Sequence, residues 1–325
     1  MARPSEDSLI ARFFAPMAGE GALGLQDDAA RLTPRPGHDL VLTADGLVQD
    51  IHFLDDPPGS IARKSLAVNV SDLAAKGAEP IGFLLTLALP QGWTEEWIAG
   101  FAAGLRDAAR DFRCPLLGGD TVRASGGLTL SVTALGEVPA GRMIHRMTAR
   151  PGDVVCVTGT IGDGALGLAL RREPDWAGAL DGGQRAHLAD RYLHPRPRLA
   201  LARALRDHAS AAMDVSDGLA GDLAKMMRAS GTTAVVVSGH VPLSDPARAA
   251  IAREPTLLDR ALTGGDDYEI LCTVPEERLD AFRAAAAEAD VPVAAIGRVL
   301  VGTGLPVFRQ GGADRRYEAG SFSHF

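Results

Sequence analysis

IGFLLTLALPQGWTEEWIAGFAAGLRDAARDFRCPLLGGD, Ile81 to Asp120, is the stretch that decides the fold class. Its first run, Ile81–Leu89, is apolar and closed by Pro90, which predicts a strand. The apolar window Ile81–Pro90 is about half of what a membrane span requires. Thr94–Phe112 is Ala-rich and reads as a helix, and Pro115–Asp120 follows as a second strand. Working outward, Asp39–Asp45 and Leu128–Val138 read as strands and Ser60–Gly77 as a helix. The stretch Pro139–Asp153 (PAGRMIHRMTARPGD) has turn residues and no periodicity, so the domain boundary is placed there, giving 1–140 and 141–325. Beyond it, strands are expected at Asp153–Gly159, Ala211–Asp214, Thr232–Val237, Glu269–Val274 and Val293–Val299. Helices are expected at Asp163–Arg172, Arg196–His208, Asp217–Ser230 and Glu276–Ala289. Such alternation predicts an α/β (α+β) protein with more than one sheet.

Composition agrees. At roughly 150 residues per domain, 325 residues make two domains. The apolar share of 46% and charged share of 23% are those of a globular chain. A formal net charge of −8 argues against nucleic acid as a partner, since non-specific binding needs a basic surface. Asp outnumbers Glu 28 to 13, and Arg outnumbers Lys 30 to three (Lys64, Lys76, Lys225). Cys114, Cys156 and Cys272 lie in or beside apolar runs with no CxxC or Cys/His grouping, as buried thiols of a reducing cytosol would. The start, MARPSEDSLIARFF, has acids and no apolar core of a signal peptide, so a cytoplasmic protein with no membrane partner is expected.

The Asp surplus is placed suggestively. Asp45, Asp120 and Asp214 stop strand-like runs, while Asp72, Asp217 and the pair Asp27-Asp28 open or precede helices. Any one of them could be a cap or turn residue. Were the strands neighbours, four or five carboxylates would meet at one sheet edge. They could not all stay ionised there without a counter-charge. Mg²⁺ supplies that charge through oxygen ligands and typically bridges carboxylates to substrate phosphates. No GxxxxGK[ST] and no protein-kinase signature occurs, so phosphate would be met by metals and arginines. Gly162–Gly167 fits GxGxxG after a strand, but no second strand with a ribose-binding acid follows, and glycines for a tight turn and close packing are the preferred reading. A faint repeat is also visible. Ser71-Asp72 precedes Gly118-Gly119-Asp120 by much the same distance as Ser216-Asp217 precedes Gly264-Gly265-Asp266.

Ten motifs in order then carry a resemblance over nearly the whole chain. They are DDAA (27–30), LTADGLVQDIHF (42–53), KSLAVNVSDLAAKGAEP (64–80), LLGGDT (116–121) and HRMTARPGDVVCVTGTIGDGALGL (145–168). HPRPR (194–198), MDVSDGLAGDL (213–223), LTGGDDYEI (262–270), IGRV (296–299) and SHF (323–325) complete the set. The chain resembles the thiamine-monophosphate kinases, within the aminoimidazole ribonucleotide synthetase-like superfamily. That resemblance implies a two-domain fold, an N-terminal α/β domain forming the dimer sheet or barrel, and a homodimer. It implies ATP as co-substrate, thiamine monophosphate as acceptor and several Mg²⁺ ions. Asp28, Thr43, Asp45, Asp72, Asp120, Asp214 and Asp217 would hold metal, and Asp45 and Asp217 would be the central catalytic carboxylates. Gly119, Asp120, Arg146 and Ser216 would contact ATP; His52, Asp266 and Phe322 would touch the thiamine substrate.

Three positions depart from the family pattern. Ala44 stands where Ser or Thr is common, Asp266 replaces a common Glu, and Phe322 replaces Tyr or Trp, keeping a stacking face without a polar handle. The rival superfamily activities are set apart by residues. A selenophosphate synthetase would carry a reactive Cys near its start, whereas the first here is Cys114. A hydrogenase-maturation protein would end in Cys, whereas this chain ends in Phe325. Aminoimidazole ribonucleotide synthetase is opposed by GGDDYE and SHF, and a non-catalytic Mg²⁺ or nucleotide-binding module is the remaining alternative.

Overall fold

The computed structural model describes residues 5–318 and 320, and the chain divides into two compact units. One takes the chain through Leu73 and again over Ala78–Gly141; the other takes Ala74–Gly77 and everything from Arg142.

The first unit contains α1 (Glu6–Leu9), β1 (His38–Val48), α2 (Pro58–Ala75), β2 (Glu79–Leu89), α3 (Glu95–Asp111), β3 (Leu116–Arg123) and β4 (Thr129–Pro139). Its sheet has the order β1-β4-β2-β3. β2 and β3 are parallel and joined by α3, whereas β4 runs antiparallel to both β1 and β2. Thr94 caps α3 by accepting from Trp97 N–H at 3.1 Å, and the helix buries Ile98, Phe101, Ala102, Leu105 and Ala108 at its 3.6-residue period. α2 buries nearly its whole length, from Ile61 to Leu73. The two helices meet backbone to backbone, because a Cβ on Gly104 would stand 2.4 Å from Gly59 Cα. Successive strand residues face opposite ways. Val41, Leu47, Phe83, Leu85 and Leu87 are buried, whereas Leu42, Leu84 and Val122 alternate with them in register on the open face.

The second unit contains β5 (Val154–Thr158), α4 (Asp163–Leu170), α5 (Gly182–Leu193), α6 (Ala202–His208), β6 (Ala211–Asp214), α7 (Leu219–Ser230) and β7 (Thr233–Val237). It continues with α8 (Asp245–Arg253), α9 (Leu257–Thr263), β8 (Ile270–Val274), α10 (Leu279–Glu288), β9 (Val293–Leu300), β10 (Val307–Gln310) and β11 (Ala313–Arg315). The strands order as β11-β10-β7-β9-β5-β8-β6. Here both sheet faces are covered. Val155 and Val157 join one apolar cluster with Leu223 and Met226 of α7, while Val154 and Cys156 join another with Leu205 of α6 and Phe282 of α10. That two-sided burial explains why VVCVT is apolar without alternation. Cys114, Cys156 and Cys272 are buried free thiols, and burial pushes Cys114 up to about 12.

Some expected elements shift for identifiable reasons. The helix expected from Arg196 is α-helical only from Ala202: Pro197 disfavours the helical conformation at Arg196, and a 3-10 turn over Leu199–Leu201 comes first. The one expected from Asp217 begins at Leu219, because Gly218 holds φ +112°. α1, α5, α8, α9, β10 and β11 have no counterpart in the sequence pattern; most are short, and α5 interrupts a stretch rich in Gly and charge.

Candidate active site

In the first unit the predicted residues fall into two groups. One lies where β1 meets α2. Asn69 and Asp72 are three residues apart on α2 and therefore share a helix face. Thr43 Oγ1 donates to Asp72 Oδ2 at 2.5 Å, and Asp45 N–H donates to the buried Asn69 Oδ1 at 3.1 Å. Asn69 is itself fixed by donating to Ser65 O at 3.0 Å. His52 sits in the turn after β1, where its Nδ1 accepts from Val48 N–H at 3.0 Å. An accepting Nδ1 puts the neutral ring's proton on Nε2. Lys64 donates to the His52 carbonyl at 3.2 Å, tying the turn to α2.

The other group lines a cleft of about 610 Å³ whose wall includes Asp27, Asp28, Gly118, Gly119 and Asp120. Asp28 and Asp120 are exposed. Gly119 has φ +154°, and a Cβ there would stand 1.8 Å from Leu85 O, so only glycine lets β3 lie this close to β2.

The expectation of neighbouring strand ends is corrected here. β1 and β3 are the two edges of the sheet, three strand spacings or about 14 Å apart. In register Asp45 aligns through Val132 and Leu85 with Gly119, so Asp120 points to the opposite face. Asp45 and Asp120 also lie within their strands, not at the ends, and Asp214 belongs to the other sheet.

In the second unit Asp214 is the buried last residue of β6. The loop that follows is clasped by the segment before β8. Asp266 N–H donates to Ser216 O at 3.0 Å, Tyr268 N–H to Val215 O at 2.9 Å, and Val215 N–H to Glu269 O at 2.8 Å. A Cβ on Gly265 would stand 2.2 Å from Ser216 O, so the clasp requires that glycine. It brings Ser216, Asp217 and Asp266 together. Arg146 is exposed in a turn whose carbonyl accepts from Ser230 Oγ at 3.3 Å. Phe322 lies outside the described residues.

Several charged residues that support this arrangement escaped the sequence reading. Asp222 is fully buried on α7 and accepts from Asp217 N–H at 2.9 Å; burial pushes its carboxyl up, and Lys225 opposes that shift. Asp267 accepts from Gly162 N–H at 2.6 Å and Gly164 N–H at 3.0 Å, and burial raises it well above the usual carboxylate range. Glu269 is gripped by Thr158 at 2.6 Å, Arg191 at 2.9 Å and Arg198 at 2.7 Å. Burial works against the charge of Arg198, but Glu269 more than offsets it and holds the guanidinium above its ordinary value. For Asp267 and Glu269 the signal lay in GGDDYE itself, three acids beside an apolar strand. The glycines of GxGxxG serve packing: a Cβ on Gly164 would stand 2.3 Å from Asp266 O, and one on Gly167 2.1 Å from Leu188 O.

The donors are all hard oxygens, the chemistry Mg²⁺ selects. Among the described residues, no three His, Cys, Asp or Glu side chains gather closely enough to hold a metal alone.

Two family profiles match the chain, AIR synthase related protein N-terminal domain over residues 26–138 and its C-terminal domain over 150–308. Fold and profiles together define a two-domain AIR synthase related protein. Thiamine-monophosphate kinase of Caulobacter vibrioides is 43% identical over 95% of this chain and 88% of its own length. The thiamine-monophosphate kinase structure from Stenotrophomonas maltophilia is 40% identical with a TM-score of 0.81, covering 89% of this chain and 91% of that one. A complex of AaThiL with AMPPCP and TMP superposes with a TM-score of 0.78 at 29% identity, over 98% and 94% of the two chains. The chain belongs to the thiamine-monophosphate kinase family.

Proposed function

We propose that this protein transfers the γ-phosphoryl group of ATP to thiamine monophosphate, giving thiamine diphosphate and ADP, the last step in making that diphosphate. The observation that carries the reading is the cleft of about 610 Å³, within the range of small-molecule sites, walled by Gly118-Gly119-Asp120 and Asp27-Asp28. The acceptor is a phosphate monoester whose second pKa is about 6, so at neutral pH it is already a nucleophilic oxyanion. No general base is needed, and direct in-line transfer requires no covalent phosphoenzyme. The obstacle is repulsion between two polyanions in an acidic site. Mg²⁺ would neutralise the phosphate oxygens and the charge that develops during transfer.

Asp28, Thr43, Asp45, Asp72, Asp120, Asp214 and Asp217 are assigned to hold the ions. The separation of Asp45 from Asp120 implies more than one ion. Arg146, Ser216 and the backbone at Gly119 are assigned to ATP, and His52 and Asp266 to the thiamine substrate. The Thr43–Asp72 bond supports this by orienting one carboxylate before any ligand arrives. Among the described residues no helix is long and apolar enough to cross a membrane, and three free thiols fit a cytoplasmic enzyme. A homodimer through the open sheet face is supported by Leu42, 62% exposed, together with Leu84 and Val122 on that face.

The test is incubation with ATP, Mg²⁺ and thiamine monophosphate, with free thiamine in parallel. Equal amounts of ADP and thiamine diphosphate, formed only from the monophosphate and abolished by EDTA, are expected. ADP without thiamine diphosphate would overturn the acceptor, and ATP binding without turnover would leave a binding module. For the dimer, Leu42→Glu with Leu84→Glu should give a monomer by sedimentation; an unchanged mass would sink the interface.

A further inference from the structure

Lys225 is one of only three lysines in the chain and stands on α7, two turns beyond Asp217. Its ammonium donates to Asp217 Oδ2 and, at 2.9 Å, to Asp222 Oδ1. Asp222 Oδ2 in turn accepts the Asp217 backbone N–H at 2.9 Å, closing a ring of contacts around the first residues of the helix. The ring is asymmetric. Asp222 is completely buried, whereas the Lys225 and Asp217 side chains are 29% and 35% exposed. Asp222 is therefore the fixed member. The other two reach solvent and can part without opening the core.

We propose that Lys225 is a resident counter-ion for Asp217: it occupies the carboxylate until a divalent cation arrives, and competes with that cation for it. The proposal rests on the reading of Asp217 as a metal ligand. The physical argument is exchange of one cation for another on a single carboxylate. An ammonium bound to Asp217 offsets its charge and fixes its rotamer while the substrates are absent. A divalent cation carries twice the charge and binds oxygen more strongly, so it takes Asp217 while Lys225 keeps the buried Asp222 as partner. Asp222 cannot follow, since its other oxygen holds the Asp217 N–H. Lys225 is thus a positioning residue, and it sets how much free metal the site needs.

The experiment is Mn²⁺ binding to the full-length protein, followed by the loss of the free-ion EPR signal, with no turnover involved. Lys225→Gln removes the competing charge while keeping a donor for Asp222. It should tighten the Mn²⁺ site that Asp217→Asn removes by about threefold or more, the scale of a partly exposed ion pair. Lys225→Arg keeps the charge and should bind Mn²⁺ as the wild type does, which separates competition from a merely structural role. Circular dichroism checks that both variants fold. If Lys225→Gln binds Mn²⁺ no more tightly while Asp217→Asn loses a site, the counter-ion role is overturned and the ligand reading stands. If Asp217→Asn binds Mn²⁺ like the wild type, the ligand reading fails and the inference goes with it.

Discussion

Gly-Gly-Asp occurs at 118–120 and again at 264–266, each after a Ser-Asp pair, yet the two copies are folded differently. The first lies inside β3, with Asp120 exposed over a cleft. The second is a loop between α9 and β8, with Asp266 at φ +73° and half-buried. What they share is close backbone approach. A Cβ would meet Leu85 O at 1.8 Å from Gly119, and Ser216 O at 2.2 Å from Gly265. The second glycine therefore encodes contact, while the role of the acid depends on what the backbone is pressed against. A strand neighbour leaves Asp120 open; a loop clasp sets Asp266 beside Ser216.

Breaking the strand copy should do the most damage. Gly119→Ala combines an overlap with Leu85 and a backbone that L residues avoid, and should cost about 3 kcal/mol. That corresponds to a drop of roughly 6–12 °C in Tm by calorimetry. Gly118→Ala, whose Cβ would find its nearest atom, Leu84 Cδ2, at 3.4 Å, should melt close to wild type. Equal losses at 118 and 119 would break the contact argument.

Removing the open acid comes next. Asp120→Asn, and equally Asp45→Asn or Asp72→Asn, should cut kcat by about 10²-fold or more at saturating Mg²⁺ with Tm little changed. Wild-type kcat in any of them would remove that residue from the metal set. Gly265→Ala should be milder, about 1–3 kcal/mol, because its φ is not strained and only the clasp must open. Its distinguishing sign is a loss of kcat beyond the loss of folded protein, since Ser216 and Asp217 move with the loop. The smallest effect is expected from Asp266→Glu. Asp tolerates a positive φ better than Glu, so stability should fall by about 1 kcal/mol or less while the KM for thiamine monophosphate shifts. A shift in the ATP KM alone would contradict the placement of Asp266 at the thiamine end.

Much of this was legible before the structure. α3 and β4 fall within a residue of their expected limits, β2 starts two residues early, and β6 coincides with its expected range, because a dense apolar run or a period-3.6 pattern leaves little choice. The preference for packing over dinucleotide binding at Gly162–Gly167 also followed from the missing second strand. Less legible were short helices such as α8 and α9, whose positions are settled by packing on α4 and α5, not by their own pattern. Least legible was the company each acid keeps. Asp222, Asp267 and Glu269 look in sequence like the candidate ligands, yet they are buried and answered by N–H groups, a lysine or arginines.

The sequence by itself determined the fold class, the main strands and helices, the ordered motifs and the surplus of aspartates among them. These depend on local periodicity and residue chemistry, which a linear string records. Only the tertiary structure decided which Asp carboxylates stay open and which become structural. It alone put Asp45 and Asp120 on opposite faces and edges of one sheet, and placed Lys225 on Asp217. Strand order, facing and burial arise from contacts between residues far apart in the chain, and an aspartate's chemistry is fixed by whichever charges and N–H groups those contacts bring to it.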